Sequence, residues 1–500
     1  MSKTEVIADE KIIVEKYDNR RIKIKTAVTL ISRILGSSLL PGGYAFRYMG
    51  LIPSLIVLLI NILAYIYLNT FVVDSIYYTN SNTWDDLVKK LLNKTMALFF
   101  NISIALDSYG TLVGYQIVSS RSIVDVLKKY TSIKMGDQLL KAIITISLAV
   151  TCCFPLTLLK STKQLGKISP FSFALIIFLC GSITIIYMMS FGNNNSICTW
   201  TENNKEPIVL KNDYRLFSDD SPLMMMISFG KYIPMIQKVI ATSAFPIVYS
   251  DLKGPLQVKR RVFKQSMWAA FAIATTLFAC AAFSTSFGFG KHNKASMLES
   301  FSPCHFIFMD VVGLSFSVFL ILSYPLLLQP AQLVIMQWAK KTPEKNYKFL
   351  VLIGFCSTVF TTTLACSLDN IAAIFGLFTA VTGFLMYFFV PLIAYVKLPQ
   401  LKREALFPSV RQQLKNEAEN QVLKIDQDSV KIEVAAEKDD VLVGDKVDRF
   451  ETQAEIPIYD YKGEYAKDNK KIRRVWMIIW TVLSAGCCVI AFVLNLEDFF

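Results

Sequence analysis

Ser32-Arg33-Ile34-Leu35-Gly36-Ser37-Ser38-Leu39-Leu40-Pro41-Gly42-Gly43-Tyr44 lies inside the first apolar segment of the chain. As a membrane span it is defective. A helix in lipid must satisfy its backbone groups internally. A Gly-Ser-Ser run followed by Pro-Gly-Gly adds loose backbone, competing hydroxyls and a missing N–H. Such a break is tolerated where it is buried in protein or lines a cavity. In membrane proteins, paired discontinuous helices are where small solutes and ions are held, so this stretch predicts a second break further along.

The rest of the composition fits a membrane chain. Of its 500 residues 53% are hydrophobic and 36 are Phe, the mean hydropathy is +0.43, and the apolar residues gather into stretches near the length of a span. The fold class is an all-α polytopic membrane protein. The formal charge of +13 is spread over short connectors. With no continuous basic face or aromatic stacking platform, it indicates topology and not a nucleic-acid partner.

Residues 1–25 form a polar cytoplasmic N-terminal tail that ends in Arg20-Arg21-Ile22-Lys23-Ile24-Lys25, with no cleavable signal ahead of it. Spans are predicted at 26–46, 51–78, 96–127, 138–158, 168–191, 232–250, 264–288, 305–338, 348–367, 370–396 and 475–495, about eleven in all. With the N-terminus inside, every short inner connector is basic, for example Lys89, Lys90 and Lys94, or Lys259, Arg260, Arg261 and Lys264. Residues 26–397 are then a ten-helix core, 398–474 a largely disordered cytoplasmic linker rich in Glu, Lys, Asp and Gln, and 475–500 the eleventh span with a short outer tail.

Eight of the ten cysteines fall in or beside spans. Cys198 and Cys304 fall in outer connectors, and their exposure to an oxidising compartment predicts a disulfide between them. Asn194-Asn195-Ser196 in the same loop is an N-glycosylation sequon, which makes the chain a candidate glycoprotein at Asn194.

The predicted second break is Ala241-Thr242-Ser243-Ala244-Phe245-Pro246 in the sixth span, five spans after the first. Matching interruptions in two five-span halves point to inverted repeats with a site near the membrane midplane. Here a family resemblance becomes specific. Gly36-Ser37-Ser38-Leu39-Leu40-Pro41-Gly42-Gly43-Tyr44-Ala45 resembles the first-helix motif of the amino acid/auxin permease family, within the amino acid transporters of the wider APC superfamily. Pro246-Ile247-Val248-Tyr249-Ser250-Asp251-Leu252-Lys253 resembles the end of its sixth helix. Asp107-Ser108-Tyr109-Gly110-Thr111 with Gly114-Tyr115, Ser323-Tyr324-Pro325 and Ile374-Phe375-Gly376 are similar to later motifs in the same order.

The resemblance implies a LeuT-like fold of 5+5 inverted repeats with an additional C-terminal helix, and secondary active amino acid transport by alternating access, as a symporter coupled to H+ or Na+. Physical chemistry leads to the same place, because a zwitterion leaving water needs donors for its carboxylate and acceptors for its ammonium, and broken helix ends offer both. The candidate substrate-binding residues are Gly36, Ser37, Ser38, Thr242, Ser243 and Ala244, with Tyr109 and Tyr115 lining or gating the pocket. In sodium-coupled relatives an Asn of the first helix and a Thr of the eighth help bind the ion. Here Ser32 stands at the first position and Ser315 or Ser317 near the second, which puts sodium dependence in doubt and leaves proton coupling open.

The charges inside the spans carry further expectations. Arg33, beside the break, would sense an acidic substrate, replace a coupling ion, or close an inner gate through a salt bridge. Asp107 and Asp310 are each its partner or a proton carrier, pairing being favoured for one of them, while Asp251 is a gate or connector residue. The chain carries two His, no His/Cys metal spacing, no phosphate loop and no nucleophile constellation, so neither an enzyme nor a resident cofactor or metal is expected. The alternative is a transporter-fold amino acid sensor that signals through a partner. The predicted partners are a small amino acid substrate and the bilayer, in a plasma membrane or a vacuolar or lysosomal one.

Overall fold

The structure, a computed structural model, describes residues 20–192 apart from 40, 132, 134 and 159–161, isolated positions between 199 and 236, residues 245–403 apart from 291, 292, 295, 302–306, 343, 344 and 369–381, and residues 486–491 and 493. The described helices are α1 (Arg20–Ser38), α2 (Gly42–Met49), α3 (Leu51–Thr79), α4 (Trp84–Leu91), α5 (Lys94–Tyr130), α6 (Asp137–Thr157), α7 (Thr162–Gly192), α8 (Phe245–Asp251), α9 (Leu256–Phe289), α10 (Met297–Phe301), α11 (Ile307–Trp338), α12 (Tyr347–Ser367) and α13 (Phe384–Arg403). Two two-residue strands, Thr199–Trp200 and Ile208–Val209, pair antiparallel.

Among the described residues eight helices are long and apolar enough to cross a membrane. The difference from about eleven has local causes. The first span is divided into α1 and α2, and the sixth and eleventh lie largely outside the described residues. The chain divides into two units, Met1–Leu398 with Leu483–Phe500, and Pro399–Val482. Of the second only 399–403 are described, so the expected linker lies outside the described residues.

α3 shows why these helices belong in lipid. Leu55, Ile56, Leu59, Ile60 and Leu63 repeat at helical spacing along one face and stay exposed, Leu59 by 59% and Leu63 by 58%, while Leu58, Ile62, Tyr65, Ile66 and Val72 on the other side are buried. In water a long exposed apolar stripe would be unfavourable; in a bilayer it meets its solvent.

The ends follow ordinary helix chemistry. Gly50 joins α2 to α3 at φ 81° and ψ 161°, a conformation open essentially to glycine alone, with no intervening loop. Thr83 and Asn93 cap α4 and α5, accepting from the Asp86 and Met96 N–H groups at 3.3 and 2.8 Å. α5 packs most extensively against α11, and α1 against α9, while α7 touches all of α1, α9 and α11. The first helix is therefore enclosed by protein, as a broken helix in a membrane requires.

Two π-helical segments interrupt the regular pattern, Ala149–Cys153 within α6 and Phe384–Phe389 within α13. Such bulges are frequent at functional sites, and the second carries a buried tyrosine, Tyr387.

Candidate broken-helix site

The break lies slightly later than the sequence suggests. Gly36, Ser37 and Ser38 are still helical, as the last turn of α1, Leu39 and Pro41 are in turn conformation, and α2 begins at Gly42. Pro41 explains the position. It has no N–H to give the carbonyl of Ser37, four residues back, and its ring disfavours helical geometry in the residue before it. Glycine and serine weaken a helix without ending it. Beyond the break, Gly42 N donates to Leu39 O at 3.3 Å and Ala45 N to Pro41 O at 3.0 Å, which starts the new helix.

Gly36 is buried, and α5 comes to it through Tyr115, which is 2% exposed. A Cβ built on Gly36 would meet the Tyr115 hydroxyl. Tyr109 is not part of this meeting. Six residues earlier on the same helix, it lies about 120° around the axis, and its hydroxyl shares a 2.8 Å hydrogen bond with Ser357 on α12 while its ring packs edge-on to Phe360. Of the two tyrosines expected at the pocket, the structure brings one to the break and turns the other toward α12.

Ser32 ties α1 to α7: its hydroxyl is placed to donate to Val28 O at 2.8 Å and to Ser169 O at 2.9 Å. Ser317 is buried and donates to Gly313 O of its own helix at 3.0 Å, and Ser315 is half-buried. Arg33, 8% exposed, donates from Nη2 to Gln329 Oε1 on α11 at 3.3 Å. Asp251, at the end of α8, is its electrostatic neighbour.

Asp310 and Asp107, each expected as a partner of Arg33 or a proton carrier, meet other groups. Asp310 sits in the first turn of α11 and holds Lys129 and Tyr130 at the end of α5, each at 2.7 Å. Asp107, 6% exposed, accepts from Thr382 Oγ1 at 3.3 Å, with Tyr115 and Tyr387 as electrostatic neighbours. A helix-terminal carboxylate finds a partner at the end of the adjacent helix, and hydropathy alone did not distinguish that position from mid-span.

Thr242, Ser243 and Ala244, the expected second break, lie outside the described residues, as do Cys198, Cys304 and Asn194. Sequence reading missed Gln329, Thr382 and Tyr387. Polar residues inside α11 and in or just before α13 were the available signal for all three, since buried polar side chains need partners. At the far end of α2 an aromatic cluster also went unread: Tyr48 stacks on Tyr232 with centroids 4.9 Å apart, and Tyr44 meets both rings edge-on.

Residues 22–416 match the family model described as transmembrane amino acid transporter protein. A comparison with curated proteins gave no significant match. Among solved structures, the chain is similar to a Na+-coupled sialic acid symporter in a substrate-bound outward-open state, at 11% identity and TM-score 0.48, over 76% of this chain and 84% of that one. It is also similar to a manganese transporter mutant from Eremococcus coleocola, at 11% identity and TM-score 0.47, over 93% of this chain and 95% of that one.

Proposed function

Because the chain belongs to the transmembrane amino acid transporter family, we propose that it is a secondary active amino acid transporter, working by alternating access and coupled to protons, with its substrate held at the break between α1 and α2. The observation that carries this reading is the break itself: helix interruption between Ser38 and Gly42, enclosed by neighbouring helices, with Tyr115 against Gly36. Around it the backbone has polar groups left over from the helix ladder, and these are what the common part of every amino acid needs.

Proton coupling is favoured over sodium by the side chains. Ser32 and Ser317 are both engaged with backbone carbonyls, and neither provides the amide oxygen that the sodium-coupled relatives use at the first helix. Asp107 is a buried carboxylate in the middle of α5, on the helix that also brings Tyr115 to the break. An enclosed acidic group inside a span marks an ion or proton path, which supports Asp107 as the coupling residue.

The test is uptake by the purified full chain in liposomes, screened over the amino acids with an imposed pH gradient and then with an imposed sodium gradient. Accumulation driven by the pH gradient and abolished by its collapse is the expected result. Accumulation driven by sodium alone would remove the proton assignment. Binding without flux under either gradient would replace the transporter with a sensor.

A further inference from the structure

Arg33 is buried to 8% exposure, and the groups around it do not use what it offers. Nη2 donates to a neutral acceptor, Gln329 Oε1, at the long distance of 3.3 Å. Nε and Nη1 are enclosed and have no hydrogen-bond partner among the described residues. Asp251 acts on the guanidinium through space, yet it accepts from neither of these two nitrogens.

This is an unusual state for arginine. A guanidinium has five N–H donors and keeps its proton at any physiological pH, so burial cannot be relieved by neutralisation. Buried donors are nearly always satisfied, and a buried charge is normally met by a counter-charge. A purely structural Arg33, anchoring α1 to α11, would require only the Gln329 contact and would gain nothing from vacant nitrogens on the other side. What the vacant nitrogens lack is an anionic acceptor.

The position says which kind. Arg33 is three residues before Gly36, about 4.5 Å along the axis of α1, on the helix that runs directly into the break. An amino acid whose α-carboxylate is held at the break would extend its side chain over a comparable distance. We propose that Arg33 is the specificity-determining residue for an anionic substrate class, amino acids with a carboxylate side chain, and that its Nε and Nη1 donors receive that carboxylate. This rests on the transport reading given above. Asp251 acts on Arg33 through space; a substrate carboxylate would add charge-assisted hydrogen bonds at Nε and Nη1.

Hydrogen bonds to charged groups imply about tenfold to a hundredfold discrimination between an acidic amino acid and its amide. A free small anion, such as chloride, could occupy the same donors, and the experiment separates the two. Uptake of glutamate, aspartate, glutamine and asparagine is measured for the full chain in liposomes, in chloride and in gluconate media, for the wild type, Arg33→Gln and Arg33→Lys. The wild type is expected to prefer the acids at least about tenfold, equally in both media. Arg33→Gln should lose that preference while still carrying amides, and Arg33→Lys should keep part of it.

A wild type that prefers the amides overturns the proposal, whether or not the variants fold. So does an acid-to-amide ratio that Arg33→Gln leaves unchanged. Amide uptake that requires chloride in the wild type, and no longer does in Arg33→Gln, assigns the donors to a free anion and overturns the substrate class. Thermal stabilisation of the solubilised wild type by glutamate and not by glutamine, without flux of either, would support the Arg33 assignment while removing the transport reading on which it was placed.

Discussion

The hydroxyl of Tyr115 on α5 occupies the space where a side chain on Gly36 would begin: a Cβ built there would overlap Oη and lie 3.0 Å from Cζ. Two effects of Gly36→Ala oppose each other. Alanine favours the helix by about 1 kcal/mol, whereas forcing extra volume into a packed contact costs about 1–3 kcal/mol, and Tyr115, almost fully enclosed, has little room to withdraw. The second effect wins. Gly36→Ala is expected to lower stability and to reduce uptake at least about tenfold, with partial recovery in the double variant Gly36→Ala, Tyr115→Phe. A higher melting temperature with normal uptake would show that the contact is not kept in the membrane.

Asp107 gives a prediction of a different kind, because shape and proton transfer can be separated there. Asparagine keeps an acceptor for Thr382 and nearly the same volume, while it cannot ionise and so cannot carry a proton. Asp107→Asn should therefore lose accumulation driven by a pH gradient and retain exchange of labelled for unlabelled substrate across the membrane. Wild-type accumulation in the variant would exclude Asp107 as the proton carrier. Loss of both activities in a folded protein would point to substrate binding instead.

Much of this architecture was legible in the chain because lipid imposes one dominant rule. Runs such as Leu51–Thr79 and Tyr347–Ser367 are apolar for the length of a bilayer, and their predicted bounds lie within a few residues of the observed helices. The break was legible for the same reason, since Pro41 has few tolerable places in a span. What was not legible is which residues face one another. Hydropathy placed Asp310 inside a span, but it lies in the first turn of α11, where the end of α5 supplies Lys129. The partners of Arg33, Gln329 and Asp251, are hundreds of residues away along the chain, and only the packing of α1 against α11 and α8 brings them near.

Asp310 and Asp107 therefore make a contrasting pair. Asp310 accepts from Lys129 and Tyr130 at a helix end, and the ion pair is only partly exposed, at 14% for Lys129 and 17% for Asp310. Its removal leaves Lys129 without that carboxylate but touches nothing at the break. Asp310→Asn should lower the melting temperature by about 2–4 °C while leaving pH-driven accumulation and its dependence on the gradient intact. Loss of coupling in Asp310→Asn, at unchanged stability, would restore it as a proton carrier.

Under the transport reading the aromatic cluster at the far end of α2 would act as a closure of the site, and its chemistry predicts how readily it opens. Tyr48 stacks on Tyr232 at an interplanar angle of 16°, Arg47 lies 5.0 Å above the Tyr48 ring, and Arg47 Nη1 donates to Asn293 O at 2.7 Å. Alternating access requires this closure to be reversible, so its worth should be modest, and an aromatic pair contributes about 0.5–1.5 kcal/mol. Removing it should shift the open population by about twofold to tenfold. Leu39, fully enclosed at the break, offers the reporter. In a Leu39→Cys background, Tyr48→Ala should raise the labelling rate with a membrane-impermeant thiol reagent by that factor over Leu39→Cys alone, after subtraction of labelling in the chain without the added cysteine. An unchanged rate would mean that α2 is held shut by other contacts, and that the stacked rings are not the closure.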